Sequence, residues 1–264
     1  LGAIGDEDLT RGVGRALGTV LLASGIDLDL APCADVNSDP DNPVIGVRSF
    51  GADPALVARH VAAFTSGLQE AGVAACAKHF PGHGATAVDS HLALPTVAAT
   101  ADVLRDRELV PFRAAIAAGV RAVMPGHLLV PALDAAHPAT VSRRIVTDLL
   151  RRELGFTGLV VTDALDMGGA GGPAAIPASV AGALAAGADL CCLGPDNDEA
   201  LVEACVAAML AAVDAGELPV ARLADAAARV AALRDGSALS VPATELATDP
   251  SAGPAMASQE RSHD

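Results

Sequence analysis

Residues 73–91 read VAACAKHFPGHGATAVDSH, and this stretch decides the fold class of the chain. It opens on an apolar run, Val73 to Ala77, of the length expected for a buried β-strand. Pro81 and Gly82 then exclude a regular helix, because proline lacks a backbone donor and glycine favours turns. The polar residues that follow therefore lie at the carboxyl end of a strand, which is where alternating α/β proteins carry their chemistry.

Helix and strand patterns alternate over the rest of the chain. This alternation predicts an α/β protein with a parallel sheet, open or closed into a barrel. Five apolar runs indicate strands, and residues 92–95 are a sixth candidate. The predicted strands lie at about residues 26–32, 73–77, 120–124, 158–161 and 189–193. The predicted helices lie at about residues 6–24, 53–72, 101–118, 142–154, 178–186, 198–214 and 219–234.

Composition excludes several classes of function. The chain has 264 residues, of which 52% are hydrophobic and 19% charged, which is typical of a globular protein with a full core. A net charge of −15 repels nucleic acid and anionic lipid, and the absence of Trp and Tyr removes stacking surfaces for single strands. No apolar run reaches the ~20 residues that span a bilayer. We therefore expect no nucleic-acid partner and no membrane span.

The chain consists of two segments that differ in composition. Residues 1–236 are expected to form one folded domain, and residues 237–264, rich in Pro, Ser and Ala, a disordered tail. The five cysteines form no C-x-x-C pair and are expected to be buried free thiols, which favours a reducing compartment such as the cytoplasm. The compartment stays open, because the sequence begins at Leu1. We expect a monomer.

Two long connections follow strands, at residues 33–52 and 78–100, and long loops in a compact domain are often functional. Lys78 and His79, at the end of a strand, suit hydrogen bonding to a polar neutral ligand. Arg48, in the first loop, reaches the same region in this interpretation. The alternative to ligand binding, for a single arginine such as this, is an ion pair on the protein surface.

A third strand end carries Asp163, directly after the run at residues 158–162. A carboxylate held rigidly at a strand end is suited to act as a nucleophile or a base. Asp166 follows three residues later, where we expect it to cap a turn or helix.

Asp89 and His91 stand two residues apart in the second loop. Asp89 can accept a hydrogen bond from one ring nitrogen of His91 and raise its basicity, which suits a general acid/base. The alternative is that His91 only bonds local backbone. Ser90 does not complete a triad, because consecutive side chains point apart and no G-x-S-x-G motif is present.

A metal site is not expected, and no cofactor either. His79 and His83 have the i, i+4 spacing of helical metal ligands, but Pro81 and the neighbouring glycines exclude that helix. His127 ends another strand and is a further candidate for binding a polar ligand.

Four segments, in this order, resemble glycoside hydrolase family 3, and most of all its bacterial β-N-acetylglucosaminidase branch. They are APCADVNSDPDNPVIGVRSFG, KHFPGHGATAVDSH, VMPGH and GLVVTDALDM, and the resemblance covers most of residues 1–235. It implies a (β/α)8 TIM-type barrel and a glycosidase that removes terminal β-linked N-acetylglucosamine. The saccharide implied is peptidoglycan-derived or related.

The resemblance also implies roles for single residues. The residue matching Asp163 is the nucleophile, and the one matching His91, held by the one matching Asp89, is the general acid/base on a mobile loop. The implied reaction forms a covalent glycosyl-aspartate and retains configuration. The positions that bind the sugar in the terminal subsite match Arg48, Lys78 and His79.

The chain departs from the family pattern at its start. The family has two earlier βα units, the second with a D-x-E-G-G-x-V-x-R segment, and neither is in this sequence. We therefore expect a barrel that lacks its first two βα units and exposes strand edges. Residues 1–264 alone are then expected to be unstable or inactive; two-state unfolding with full activity would refute this.

Two other functions stay open at this point. One is a β-N-acetylglucosaminide phosphorylase, in which phosphate replaces water at the same site; product analysis in phosphate buffer separates the two. The other is a catalytically impaired fragment that binds saccharide without turning it over.

Overall fold

The computed structural model describes residues 1–86 and 88–235 of the chain. Within them, four strands form one parallel sheet in which each strand lies beside the next in sequence. A parallel bridge from Val161 to Leu190 adds a fifth strand position. This order is that of consecutive units of a (β/α)8 barrel. The strands are β1 (Leu28–Asp29), β2 (Ala74–Phe80), β3 (Ala122–Pro125) and β4 (Leu159–Val160).

Helical segments connect the strands, as parallel pairing requires. Across the described residues, every helix is too short or too polar to cross a bilayer. Two segments, Leu104–Glu108 and Arg144–Glu153, are π-helical. The α-helices are α1 (Glu7–Ala23), α2 (Pro54–Glu70), α3 (Ala101–Val103), α4 (Leu109–Ala117), α5 (Ile176–Ala186), α6 (Glu199–Asp214) and α7 (Val220–Arg234).

Five predicted strand positions are confirmed, and the sixth candidate, residues 92–95, is wrong. Leu92 is 80% exposed, and its amide donates to the carbonyl of Asp89, so this segment begins in a turn. One residue after it, Thr96 bridges to Leu129. The predicted tail at residues 237–264 lies outside the described residues.

Aspartate caps start three of the helices where the sequence predicts them. Asp53 accepts a hydrogen bond from the amide of Leu56 at 2.7 Å, and Pro54 occupies the first turn, where its missing amide costs nothing. Asp6 and Asp198 cap α1 and α6 in the same way. Local sequence therefore sets where these connections end.

The side chains of β2 alternate between two hydrophobic clusters. Ala75 and Ala77 pack against the outer cluster, which contains buried residues of α2 and α4. Cys76 packs in the inner cluster with side chains of β3 and β4. Val230 and Leu233 of α7 pack against that inner cluster as well. Both faces of the sheet are therefore covered here, as expected of a parallel sheet.

Small residues, and not the apolar stripe, bring α1 against α2. A Cβ on Gly14 would lie 2.7 Å from the carbonyl oxygen of Phe64, and one on Gly67 only 2.0 Å from that of Arg11. The backbones therefore approach too closely for any larger side chain at these positions. Five apolar residues have the spacing that predicts this helix, and only Leu21 packs against the outer cluster. The other four are exposed: Leu9, Val13, Leu17 and Val20.

A buried carboxylate, Asp189, fastens the start of β4 to its surroundings. Its side chain is fully buried and accepts hydrogen bonds from Val160 N at 2.8 Å and Arg151 Nη2 at 2.5 Å. Arg222 Nη2 donates to the other carboxylate oxygen. The largely buried guanidinium group of Arg151 thus has this carboxylate as its counter-charge, whereas that of Arg222 is paired with both Asp189 and Asp225.

Replacing this carboxylate is expected to destabilise the protein strongly. Asp189→Asn should lower the free energy of unfolding by about 3–5 kcal/mol, because it leaves the buried charge of Arg151 uncompensated and removes one of the two partners of Arg222. Urea unfolding measures the change. The control is Asp148→Asn, which breaks an exposed pair with Arg152 and should cost less than about 1 kcal/mol. Equal losses in the two variants would contradict this account.

Candidate functional site

The candidate site lies at the carboxyl ends of the strands, where β2 passes into the loop of residues 81–91. Ala34, after β1, donates its amide to the carbonyl of Lys78 at 2.6 Å. Gly126, after β3, donates its amide to the carbonyl of Phe80 at 3.0 Å. Three strand-end loops are thereby joined at one edge of the sheet, as the barrel topology requires of a site.

Asp35 is the centre of the hydrogen bonding in this region. Its carboxylate is fully buried and accepts from His79 Nδ1 at 2.8 Å and from His79 N at 3.1 Å. It also accepts from His83 N at 2.7 Å and from Cys33 Sγ at 3.1 Å. Burial opposes ionisation, but the two histidines more than compensate and hold the pKa of Asp35 below its ordinary value. Asp35 therefore fixes the turn that follows β2.

The ring of His79 has its two nitrogens in different roles. Nδ1 faces the Asp35 carboxylate, and Nε2 lies 3.3 Å from Arg48 Nη2. A guanidinium can only donate, so Nε2 carries a lone pair and Nδ1 carries the proton. Arg48 and His79 thus stand together beside the strand end, as the sequence predicts.

Lys78 lies on the inner face of the sheet, two residues after Cys76 in the alternating pattern of β2. Its positive charge opposes the effect of burial, which raises the pKa of Asp29. Burial raises the pKa of Cys76 to about 12, and the charges of both Lys78 and Asp163 act on this thiol. Lys78 and Asp163 thus both lie close enough to the Cys76 side chain for their charges to act on it.

The predicted pair of Asp89 and His91 is present as a hydrogen bond. Asp89 Oδ1 accepts from His91 Nδ1 at 2.7 Å and from His91 N at 2.8 Å. Burial of Asp89 raises its pKa, but these two donors outweigh it and bring the pKa below the ordinary value. The His91 side chain is 60% exposed, so its Nε2 is open to a ligand. The arrangement suits proton transfer at Nε2.

Asp163 follows β4 and the segment after it is held by a histidine. His127, one of the predicted candidates, donates from Nε2 to the carbonyl of Ala164 at 2.9 Å and has Nδ1 2.8 Å from Thr140 Oγ1. Burial lowers the pKa of His127, and the charge of Asp163 opposes this. Both ring nitrogens of His127 are occupied by the protein. Its place is to hold the Asp163 segment rather than to bind a ligand.

Three potential metal-binding atoms of Cys33, Asp35 and His79 lie within 4.8 Å of one another. The hydrogen bonds from Cys33 and His79 to the Asp35 carboxylate account for this closeness. Burial also raises the pKa of the Cys33 thiol well above its ordinary value, which disfavours the thiolate that a metal requires.

Sequence reasoning missed Asp35. The sequence feature that could have identified it is the one that points to Asp163, namely an acidic residue just after a strand-like run, at the start of a long loop. For His83 the sequence shows only the i, i+4 spacing of a metal ligand, whereas its ring nitrogens face Thr86 Oγ1 at 2.6 Å and Ser90 Oγ at 3.0 Å. These hydroxyl partners lie three and seven residues after His83 in a loop, where spacing along the sequence does not indicate a contact.

The chain belongs to glycosyl hydrolase family 3, whose N terminal domain matches residues 1–233. A β-hexosaminidase of Thiobacillus denitrificans is 41% identical over 212 residues, which are 77% of this chain and 58% of that protein. β-Hexosaminidase A of Pseudoalteromonas piscicida is 44% identical over 177 residues, 62% of this chain and 29% of its own length. The chain thus spans less than two thirds of each of these relatives.

A solved structure gives the same result for the fold. The glycoside hydrolase family 3 β-N-acetylglucosaminidase from Paenibacillus sp. str. FPU-7 superposes with a TM-score of 0.85 at 42% identity. The match covers 98% of this chain and 48% of that one. The TIM-type barrel predicted from the sequence is therefore the fold class to which the described residues belong.

Buried histidines make the stability of the domain depend on pH. Burial lowers the pKa of His60, His83 and His127 below the ordinary 6.5. Below pH 6.5 the unfolded chain binds protons that the folded chain does not, so stability present above this pH is lost as the pH falls. The urea midpoint should be lower at pH 5.5 than at pH 7.5, and His60→Gln should reduce the difference. An unchanged midpoint in the wild type would contradict the prediction.

Proposed function

We propose that the protein is a retaining glycosidase that removes terminal β-linked N-acetylglucosamine from peptidoglycan-derived or related saccharides. The observation that carries this proposal is the hydrogen bond between Asp89 and His91, on a loop beside the strand end that bears Asp163. Family membership and relatives named β-hexosaminidase support it.

In the first step, Asp163 attacks the anomeric carbon while His91 Nε2 gives a proton to the departing oxygen. Asp89 accepts from Nδ1 of His91 and stabilises the ring when it is charged. The bond to the leaving group breaks as the glycosyl-aspartate forms.

In the second step, the now neutral His91 takes a proton from water, which displaces Asp163 from the sugar. Two inversions give net retention. Retaining enzymes more often use a second carboxylate, at about 5–5.5 Å from the first. A histidine in that place does not repel the Asp163 carboxylate when neutral, which is a physical advantage of the substitution.

Arg48, Lys78 and His79 are proposed to bind the N-acetylglucosamine. Arg48 and Lys78 provide charged donors for hydroxyl or carbonyl oxygens of the sugar, and His79 Nδ1 is tied to Asp35, which keeps the ring in one orientation. The carboxylate of Asp35 is fully buried and is therefore placed to orient His79 rather than to touch the sugar.

Two substitutions in the full-length protein test the chemistry. Asp163→Asn should lower kcat/KM on 4-nitrophenyl β-N-acetylglucosaminide by roughly 10³- to 10⁶-fold, since it removes the nucleophile. Asp166→Asn, three residues away, is the control and should stay within a few-fold of wild type. His91→Ala should lose most of its activity on this substrate, and azide, which needs no base, should restore part of kcat.

Three outcomes would contradict the proposal: full activity of His91→Ala, an α-anomer as the first product seen by NMR, or no hydrolysis by the wild type. Release of N-acetylglucosamine 1-phosphate in phosphate buffer would identify the phosphorylase alternative instead.

The binding role is tested at Arg48, whose side chain is exposed except for its contacts with Val44 and His79. Arg48→Ala should raise KM by about tenfold or more with a smaller change in kcat, because a charged hydrogen bond to the substrate is lost. Arg152→Ala, which removes an exposed arginine of another element, is the control. An unchanged KM would remove Arg48 from the binding site.

A further inference from the structure

The loop that carries the acid/base pair is anchored by the residue between its two members. The His91 side chain is 60% exposed and that of Asp89 is partly buried at 31%, whereas Ser90 is only 2% exposed. Ser90 Oγ lies 3.0 Å from Nε2 of His83, which is itself buried. The three residues lie in a turn that is closed by the amide of Leu92 on the carbonyl of Asp89, and within this turn Ser90 is buried while the His91 side chain is exposed.

The ring of His83 is held on both sides. Nδ1 lies 2.6 Å from Thr86 Oγ1, and Nε2 lies 3.0 Å from Ser90 Oγ. The amide of His83 donates to the carboxylate of Asp35. His83 therefore joins Ser90 to the turn that Asp35 fixes.

Two glycines downstream of Asp163 form the other side of the anchor. The amide of Gly169 donates to the carbonyl of Ser90 at 2.9 Å, and the amide of Gly168 donates to that of His91 at 3.1 Å. These backbone bonds connect the acid/base loop directly to the segment that begins at the proposed nucleophile. The distance between the two catalytic groups therefore depends on this contact.

The contact leaves no room for a side chain. A Cβ on Gly168 would lie 2.5 Å from the carbonyl oxygen of Leu92, and one on Gly169 would lie 2.8 Å from that of Ser90. Both obstacles are backbone atoms of the loop, which cannot rotate away as a side chain can. A larger residue at either position would therefore displace the acid/base loop.

We propose that His83, Gly168 and Gly169 form a seat for the acid/base loop and act as positioning residues for His91. The seat sets the distance of His91 from Asp163, and it does so without touching the substrate. The inference rests on the proposed function, because it assigns these residues to the proton transfer of that reaction.

The test measures how activity depends on the leaving group, which a purely structural defect would not change. Dinitrophenolate departs without a proton, whereas phenolate requires one from His91. In the full-length protein, Gly169→Ala should lower kcat/KM on phenyl β-N-acetylglucosaminide by about 10²-fold. On the 2,4-dinitrophenyl glycoside the same variant should lose less than about threefold in kcat/KM, and azide should raise its kcat.

A milder variant and two controls keep the result decisive. Ser90→Ala removes only the hydroxyl and should show the same selectivity for the activated substrate, with about a tenfold loss on the phenyl glycoside. Gly182→Ala adds a methyl at an ordinary 3.4 Å contact, and Ser66→Ala removes a helix hydroxyl; both should behave as wild type. Thermal unfolding confirms that each variant is folded.

The outcomes separate this inference from the function on which it rests. Equal losses on both glycosides in Ser90→Ala and Gly169→Ala, or no loss on either, would contradict the seat while the wild type remains a glycosidase. A wild type that hydrolyses neither glycoside would contradict the proposed function and this inference with it.

Discussion

The carboxylate of Asp35 accepts hydrogen bonds from Cys33, His79 and His83, and through them it joins the loop after β1 to the loop after β2. The carboxylate thereby orients the ring of His79, which is proposed to bind the sugar. It also accepts from the amide of His83, whose ring contacts Ser90. A fully buried carboxylate is stable only with such partners. The residues proposed to bind sugar and to transfer the proton are thus both connected to the Asp35 carboxylate, which has neither of these proposed roles itself.

The two proposed catalytic groups are held in different ways. Asp163 follows a buried strand and is itself followed by a segment that His127 holds at Ala164, so its position is set by the sheet. His91 lies on a loop that is held by the bonds of the Ser90 and His91 carbonyls to the amides of Gly169 and Gly168 and by the contact of Ser90 with His83. These contacts set where the loop lies relative to the segment that follows Asp163.

The sequence predicted most of the fold, because helix and strand periods are local and strong. It also predicts Asp163, Asp89 and His91 as candidate site residues, because strand ends and a two-residue spacing are visible in the sequence, and their catalytic roles stay predictions. The exposure of the apolar residues of α1 and the absence of a strand at residues 92–95 depend on tertiary packing, which cannot be read from the local sequence. Asp35 meets His83 across 48 residues, a contact that only the folded chain defines.

The tautomer of His79 tests the central claim, that an ionised Asp35 orders the site, most directly. Long-range ¹⁵N–¹H NMR at pH 7.5 distinguishes a protonated from an unprotonated ring nitrogen. The account predicts the proton on Nδ1, facing Asp35, and a lone pair on Nε2, facing Arg48. In Asp35→Asn, whose amide oxygen and nitrogen can replace the carboxylate only in part, this preference should weaken. A wild-type ring with its proton on Nε2 alone, or one unaffected by Asp35→Asn, would contradict it.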